Sequence, residues 1–189
     1  MLPADRMPEA EVSLLLAEHL LALPGAATSV SVAIDGAGVK VHGKEVFALE
    51  GFLAARGWKQ TAPDGGKNSW TGTYSRAGQL LNIHSRPGVG DVVISYRGTR
   101  IIAECKKGPT KAKKGSPERP LLAAALGQGL LCDAAASDIV IAAVPDTDAF
   151  RKLAAEWRTR PLIKRSGIHI CLVSRSGDVS GFPRPGDVK

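Results

Sequence analysis

Cysteine and aromatic residues are scarce in this chain of 189 residues, which has three cysteines and 5% Phe, Trp and Tyr. Cys105, Cys132 and Cys171 lie far apart in apolar segments and form no CxxC or Cys/His spacing. This pattern argues against a disulfide framework and against a structural zinc site. Because such cysteine usage is typical of a reducing compartment, we expect a cytoplasmic protein.

Long apolar runs are also missing. The most apolar stretch is SLLLAEHLLALPG at residues 13–25, and Glu18 and His19 interrupt it. It is too short to cross a bilayer, and the basic lead of a signal peptide does not precede it. We therefore expect no membrane partner.

Acidic residues are outnumbered, with 18 Asp and Glu against 25 Lys and Arg, which gives a net charge of +7. Such a balance favours a polyanionic partner, most simply nucleic acid. The hydrophobic content of 44% is sufficient for a buried core, so a largely disordered chain is excluded. The length suits one domain with a small extension.

Hydrophobic periodicity and turn residues predict an α/β fold with a mixed central sheet and helices on both faces. A helix over residues 8–23 and a β-hairpin over 28–42, turning at Asp35-Gly36, form an N-terminal extension, residues 1–43. The core, residues 44–175, is predicted as helix, three strands, helix, strand, helix and strand. Residues 176–189 are expected to form a flexible tail. The core helices are predicted over 44–58, 121–135 and 148–160, and its strands over 71–85 (a hairpin arm), 91–96, 99–106, 138–144 and 167–175.

Residues 91–106 read DVVISYRGTRIIAECK, which predicts a hairpin with Arg97-Gly98 as its two-residue turn. In that register Asp91 lies opposite Glu104, on the same face of the sheet. Lys106 shares this face because side chains alternate with a period of two. A slip of one residue would turn Asp91 to the other face. The predicted hairpin therefore gathers two carboxylates and an amine.

Two neighbouring carboxylates repel each other unless a cation lies between them, and Mg²⁺ commonly takes one or two carboxylates with water and a substrate phosphate. Asp91 and Glu104 are therefore candidate metal ligands, and the carbonyl of Cys105 is a third. Lys106 could orient the attacking water and stabilise an anionic transition state. These residue types point to metal-assisted hydrolysis of a phosphodiester.

The pattern GD, twelve residues, then ECK resembles the active-site signature of the PD-(D/E)xK nuclease superfamily. The resemblance covers about residues 44–145 and is nearest in layout to small nucleases like the Holliday-junction resolvases. It implies a restriction-endonuclease-like αβββαβ core and an endonuclease for which DNA is favoured over RNA as the substrate. Asp91 and Glu104 would bind Mg²⁺, with Mn²⁺ as a substitute, and Lys106 would be the catalytic lysine. A homodimer is expected if both strands of a duplex are cut.

The resemblance also implies further residues. The family often adds an acid from the first helix, for which Glu45 is the nearest match and Glu50 the second choice; Glu45 could instead stabilise the helix N-terminus. One branch has a Gln in the helix after the ExK strand, and Gln128 matches it as a catalytic candidate. Close packing of its flanking glycines explains that position equally well. The chain departs from the family at Cys132, where that branch has Tyr, and at Gly90, where the family has Pro.

The segment after the ExK strand is a basic loop, which could grip DNA phosphates or only keep the protein soluble. The candidate phosphate-binding residues are Lys107, Lys111, Lys113, Lys114 and Arg119. We interpret His84 and His169 as structural, and Trp58, Trp70 and Trp157 as core residues. Two alternatives to a nuclease stay open: a catalytically silent nuclease fold that binds nucleic acid or a protein partner, and an accessory protein that assembles through residues 8–42.

Overall fold

A computed structural model describes residues 5–41, 44–86, 88, 90–110 and 117–183. Lys111, Lys113 and Lys114 lie outside these described residues, as does the end of the expected tail. The helices are α1 Glu9–Leu21, α2 Gly36–Val39, α3 Leu49–Ala55, α4 Glu118–Leu131, α5 Asp148–Arg158 and α6 Pro161–Ser166. The strands are β1 Arg6–Met7, β2 Ala26–Ala33, β3 Lys40–Val41, β4 Lys44–Glu45, β5 Lys59–Pro63, β6 Gly72–Arg76, β7 Gln79–His84, β8 Val92–Tyr96, β9 Thr99–Cys105, β10 Gly108–Pro109, β11 Ile139–Pro145, β12 His169–Val173 and β13 Val179–Ser180.

The centre of the molecule is a mixed sheet of nine strands in the order β13-β12-β11-β9-β8-β2-β7-β6-β5. Strands β8 and β9 form an antiparallel hairpin, and β9 continues in parallel with β11 and β12. On the other side, β2 is antiparallel to β8 and parallel to β7. A mixed α/β architecture with a large sheet flanked by helices is therefore confirmed. None of the described helices is long and apolar enough to span a membrane.

Helix α1 packs across one face of the sheet against β2, β8, β9, β11 and β12. It is buried on nearly all sides because apolar residues follow one another from Leu14 to Ala17. Two of its carboxylates are also buried: Glu11 pairs with Arg175, and Glu18 pairs with Arg56 and Arg76. Buried charges need such partners, and these partners fix the position of α1 on the sheet.

Helices α4 and α5 cover part of the opposite face, where α4 packs on β9 and β11 and α5 packs on β12. The buried side of α4 carries Leu122, Ala125 and Leu126, which meet Phe150 of α5 in a second apolar cluster. Helix α1 on one face and helices α4 and α5 on the other thus cover β9, β11 and β12. These three strands are parallel, and parallel strands are normally covered on both faces.

The predicted hairpin over residues 28–42 is wrong. Residues Ala26–Ala33 form the single strand β2 between β7 and β8, and a short helix begins at Gly36. The alternating pattern was correct, because Val30 and Val32 are buried against α1, but its partners come from distant parts of the chain. The residues of α1 and β2, which were predicted to form an extension, thus share one hydrophobic core with strands of the predicted core, residues 44–175.

The predicted helix over 44–58 is also wrong in its first half. Lys44–Glu45 is a two-residue strand paired with Lys40–Val41, and the helix begins only at Leu49. The helix that precedes the strands β2, β8 and β9 in the chain is therefore α1, and α4 lies between β9 and β11. The segment expected to be a flexible tail contains β13, which pairs with β12, and Phe182, which packs against the core.

Candidate active site

The β8–β9 hairpin has the register that the sequence predicts. Val92 pairs with Ala103 and Tyr96 with Thr99, so paired residue numbers sum to 195 throughout. Arg97 and Gly98 form the turn with φ angles of 52° and 81°, both in the left-handed region that a type I′ turn requires. The Arg97 N–H donates to the Gly25 carbonyl at 2.9 Å, which supports a non-glycine residue in this conformation.

Asp91 lies one residue before β8 and is fixed between β2 and β9 by three hydrogen bonds. Its N–H donates to the Ala103 carbonyl (2.9 Å), and its carbonyl accepts from the Ala33 N–H (2.8 Å). Its carboxylate Oδ2 accepts from the Cys105 N–H at 2.7 Å. The side chain therefore points at the end of β9, where Glu104 and Lys106 lie.

Lys106 is held at the centre of a group of oxygen atoms. Its Nζ donates to the Cys105 carbonyl at 2.7 Å and to Glu9 Oε1 at 3.2 Å, and it lies 3.8 Å from Asp91 Oδ2. The Lys106 side chain is only 12% exposed. Its own N–H donates to the Ala143 carbonyl on β11, so the backbone that positions it belongs to the sheet. The structure thus brings together the predicted residues Asp91 and Lys106.

Glu9, which the sequence analysis missed, completes this cluster from the first turn of α1. The helical placement predicted for Glu45 is wrong, because Glu45 is an exposed strand residue. Glu50 does lie in a helix, but it is exposed and accepts a hydrogen bond from Ser69. The signal for Glu9 was its place at the start of the helix that directly precedes β2.

The pKa values of Glu104 and Asp91 are both raised. Burial, with the charge of Asp91 as the second cause, raises the pKa of Glu104 from 4.5 to about 7, against the opposing effect of Lys106. Burial also raises the pKa of Asp91, although the Cys105 N–H and Lys106 act in the opposite direction. Lys106 thus lowers the pKa of both acids, but its effect is smaller than that of burial.

Asp91 and Glu104 could hold a magnesium ion only in a site to which the protein contributes few ligands. Among the described residues, no group of three or more His, Cys, Asp and Glu side chains is arranged to hold a metal ion. Mg²⁺ needs only one or two carboxylates when water and phosphate complete its shell. Asp91 and Glu104 supply two such carboxylates, and burial is the main cause of their raised pKa values. The Cys105 carbonyl, the third predicted ligand, accepts a hydrogen bond from Lys106.

Gly90 has a packing reason to replace the proline that the superfamily signature carries. A Cβ atom at this position would lie 2.6 Å from Ile102 Cγ2 and 3.2 Å from the Ala103 carbonyl oxygen. It would also lie 3.6 Å from Glu104 Oε1. A side chain at this position would therefore require the buried Ile102 side chain or the start of β8 to shift.

Gln128 is exposed on α4, whose buried positions are Glu118, Leu122, Ala125, Leu126 and Gly129. A Cβ at Gly129 would lie 3.2 Å from Val140 Cγ1, so close helix–sheet packing accounts for this glycine. The Cys132 thiol donates to the Gly129 carbonyl at the end of the helix. The catalytic role of Gln128 therefore stays a prediction.

The other residues that the sequence singled out differ in their exposure. Lys107 is exposed directly beside the site, whereas Arg119 lies over the Trp157 ring and 4.0 Å from Glu156. Trp58 and Trp70 are buried in the core, as expected, and Trp157 is half-buried. The remaining structural candidates are both half-buried strand residues, His84 in β7 and His169 in β12.

Comparisons of the chain with protein-family models, with curated proteins and with solved structures find no match.

Proposed function

We propose that the protein is a divalent-metal-dependent nuclease that hydrolyses phosphodiester bonds in DNA. The observation that carries this proposal is the convergence of Asp91, Glu104 and Lys106 at adjoining ends of β8 and β9. Two acids of raised pKa and a lysine with few contacts to water form a site of the PD-(D/E)xK kind. The net charge of +7 supports a polyanionic substrate.

The topology supports the proposed restriction-endonuclease-like core. Strands β2, β8 and β9 are neighbours in antiparallel order, and β11 follows β9 in parallel, with α1 before the first strand and α4 before the last. Asp91 precedes the second of these strands and Glu104 lies near the end of the third. The positions of Asp91 and Glu104 on the second and third strands agree with the resemblance. The first helix and strand of this order, α1 and β2, lie outside the residues 44–145 that the resemblance was expected to cover.

Each side chain of the site has a distinct proposed task. Asp91 and Glu104 would hold Mg²⁺ or Mn²⁺, and the carbonyl of Cys105 would contribute once Lys106 releases it. Such an ion, when bound, polarises the phosphate and lowers the pKa of a bound water. Lys106 then orients the attacking water and stabilises the negative charge on the phosphate oxygens. Glu9 keeps Lys106 directed at the site through the contact of 3.2 Å.

A second candidate is a catalytically silent member of the same fold that binds nucleic acid or a protein partner. Two observations favour it: no described group of three or more acids, cysteines and histidines is arranged for a metal, and Lys106 already engages the Cys105 carbonyl. This candidate predicts salt-sensitive DNA binding that survives EDTA, and no cleavage with any divalent metal.

A cleavage assay with the purified protein tests the proposal. We expect it to cut labelled duplex or branched DNA in Mg²⁺ or Mn²⁺. We expect it to lose all cleavage in excess EDTA, because in the proposed mechanism only the ion polarises the phosphate and lowers the pKa of the attacking water. Activity should return when the metal is restored. Persistent inactivity on single-stranded, duplex and branched DNA with both metals would leave the silent binding protein as the answer.

Raising the pH should destabilise the metal-free protein through Glu104. Its pKa of about 7 in the folded protein exceeds the ordinary 4.5, so its contribution to stability is full below about pH 4.5 and is lost as the pH rises through about 7. We expect a loss on the order of 2 kcal/mol, allowing for solvent screening. Denaturant unfolding in EDTA at pH 5 and pH 8 measures it, and Glu104→Gln should reduce the difference between the two pH values. An equal difference in both proteins would contradict the assignment.

A further inference from the structure

The nine-stranded sheet has one half of one face that the described helices leave open. α1 covers one face across β2, β8, β9, β11 and β12, whereas α4 and α5 cover the other face over β9, β11 and β12. On strands β2, β6 and β7 the side chains of this second face are half-buried or exposed, and the alternate residues, such as Val30, Leu81 and Ile83, are buried on the α1 side. We call it the open face; it carries Ser29, Ser31, Thr73, Ser75, Leu80, Asn82 and His84.

The polar side chains of the open face are fixed by hydrogen bonds between strands. Thr73 Oγ1 donates to Asn82 Oδ1 at 2.9 Å, and Asn82 Nδ2 donates to Ser29 Oγ at 2.9 Å. Ser31 Oγ and His84 Nε2 are 3.0 Å apart. Small hydroxyl and amide groups that are held in place can bind a ligand with little further loss of side-chain entropy.

The open face is continuous with the candidate active site. His84 pairs with Ala33 on the neighbouring strand, and the Ala33 N–H donates to the Asp91 carbonyl at 2.8 Å. His84, Ala33 and Asp91 therefore lie in one row across adjacent strands. At the usual strand spacing of about 4.8 Å, His84 lies roughly 10 Å from Asp91. A ligand on the open face would thus extend to the proposed metal ligands.

Charge makes the open face suitable for a polyanion. The strands β2, β5, β6 and β7 contain no aspartate or glutamate. Lys59 pairs with Ser75 at the edge of the face, and Arg86 is exposed just beyond His84. Asp64, an acid close enough to influence His84, is occupied by hydrogen bonds from Thr71 and the Gly66 N–H. Acidic side chains are therefore concentrated at the catalytic end.

The open face carries no Phe, Trp or Tyr side chain, which favours duplex over single-stranded DNA as its ligand. Proteins that bind single strands commonly stack bases on aromatic rings, whereas Ser, Thr and Asn donate to the phosphates of a duplex. The one aromatic residue of these four strands is Tyr74, which is buried in the core on the α1 side. The open face therefore offers hydrogen-bond donors and positive charge, and its one ring is the half-buried imidazole of His84, which is hydrogen-bonded to Ser31.

We propose that the open face binds the sugar–phosphate backbone of a duplex arm beside the bond that is cut. The inference rests on the proposed nuclease function and adds the substrate class: DNA that is double-stranded on one side of the scissile phosphate. The neutral donors of the face position the backbone, while Lys59 and Arg86 supply the charge.

Leu80→Glu tests this surface, because Leu80 lies in the middle of the open face and is 39% exposed, so the variant should fold. Its matched control is Leu131→Glu at the end of α4, where the side chain is 87% exposed. We expect Leu80→Glu to weaken binding of a fluorescent DNA duplex in EDTA roughly tenfold, through repulsion between a carboxylate and the phosphates. Leu131→Glu should change the affinity for the duplex less than about twofold. The wild-type protein should bind a single strand of the same sequence more weakly than it binds the duplex.

The outcomes separate the surface from the chemistry. Equal binding by Leu80→Glu and the wild type, equal weakening by both variants, or tighter binding of the single strand would overturn the inference even if the protein cleaves DNA. The protein could also fail to cleave DNA while Leu80→Glu, but not Leu131→Glu, weakens its binding to the duplex. That result would contradict the nuclease proposal and support the binding surface. Asn82→Asp, which adds a charge at almost constant shape, should weaken duplex binding as Leu80→Glu does.

Discussion

Asp91→Asn is expected to lower the rate of DNA cleavage at least about a thousandfold, because a metal ligand contributes several kcal/mol to the transition state. In the wild-type protein the Cys105 N–H donates to Asp91 Oδ2 at 2.7 Å. The variant keeps the shape of the side chain, and its amide oxygen can still accept this hydrogen bond. The fold at the end of β9 should therefore be preserved. Single-turnover cleavage at saturating Mg²⁺, beside thermal unfolding, measures the two effects separately.

The control for this change is Asp148→Asn, in the first turn of α5. Asp148 is 87% exposed and pairs with Arg151, so its substitution removes the same charge from the surface away from the site. We expect it to cleave DNA at the wild-type rate. If Asp91→Asn stayed as active as Asp148→Asn while both remained folded, Asp91 would not be a metal ligand and the proposed mechanism would fail.

The part of the site that local sequence determines was predictable. The turn at Arg97-Gly98 sets the register of β8 and β9, and this register alone brings Asp91 to the end of β9, where Glu104 and Lys106 lie. Hairpin contacts span few residues, so period-two alternation and one turn are sufficient to place them. The α/β architecture followed in the same way from the helical and alternating patterns of separate segments.

The part that depends on distant contacts was not predictable. β2 alternates as a strand should, but nothing local shows that its partners are β7 and β8 rather than the residues after Asp35. The same limit applies to Glu9, which is 97 residues from Lys106. Its position depends on how α1 lies on the sheet, and the buried pairs of Glu11 with Arg175 and of Glu18 with Arg56 hold α1 there.

The three acids of α1 named above differ in their burial and in their partners. Glu11 and Glu18 are almost completely buried and bind arginines from remote segments, whereas Glu9 is 37% exposed and faces Lys106. A buried carboxylate without its partner would be costly, so these pairs specify one position of the helix. That position places the N-terminal turn of α1, and with it Glu9, at the end of β9 that Lys106 follows.

Lys106→Ala is expected to lower kcat for DNA cleavage about a hundredfold to a thousandfold, the usual cost of losing one donor to a developing anion. KM should stay close to the wild-type value, because Lys106 is only 12% exposed and contacts Cys105 and Glu9 rather than the outer surface. The ammonium also lowers the pKa of Glu104, so its removal should move the pH dependence of cleavage toward higher pH.

The adjacent lysine gives the matched comparison for this prediction. Lys107 is exposed, and we expect Lys107→Ala to raise KM and reduce the salt dependence of binding by about one phosphate contact, with kcat unchanged. The two substitutions remove the same charge one residue apart, so bulk electrostatics should affect both equally. Alternation of side chains along the chain directs Lys106 into the site and Lys107 to the surface. A loss of kcat in Lys107→Ala as large as in Lys106→Ala would therefore show that net charge, and not a positioned ammonium, controls the reaction.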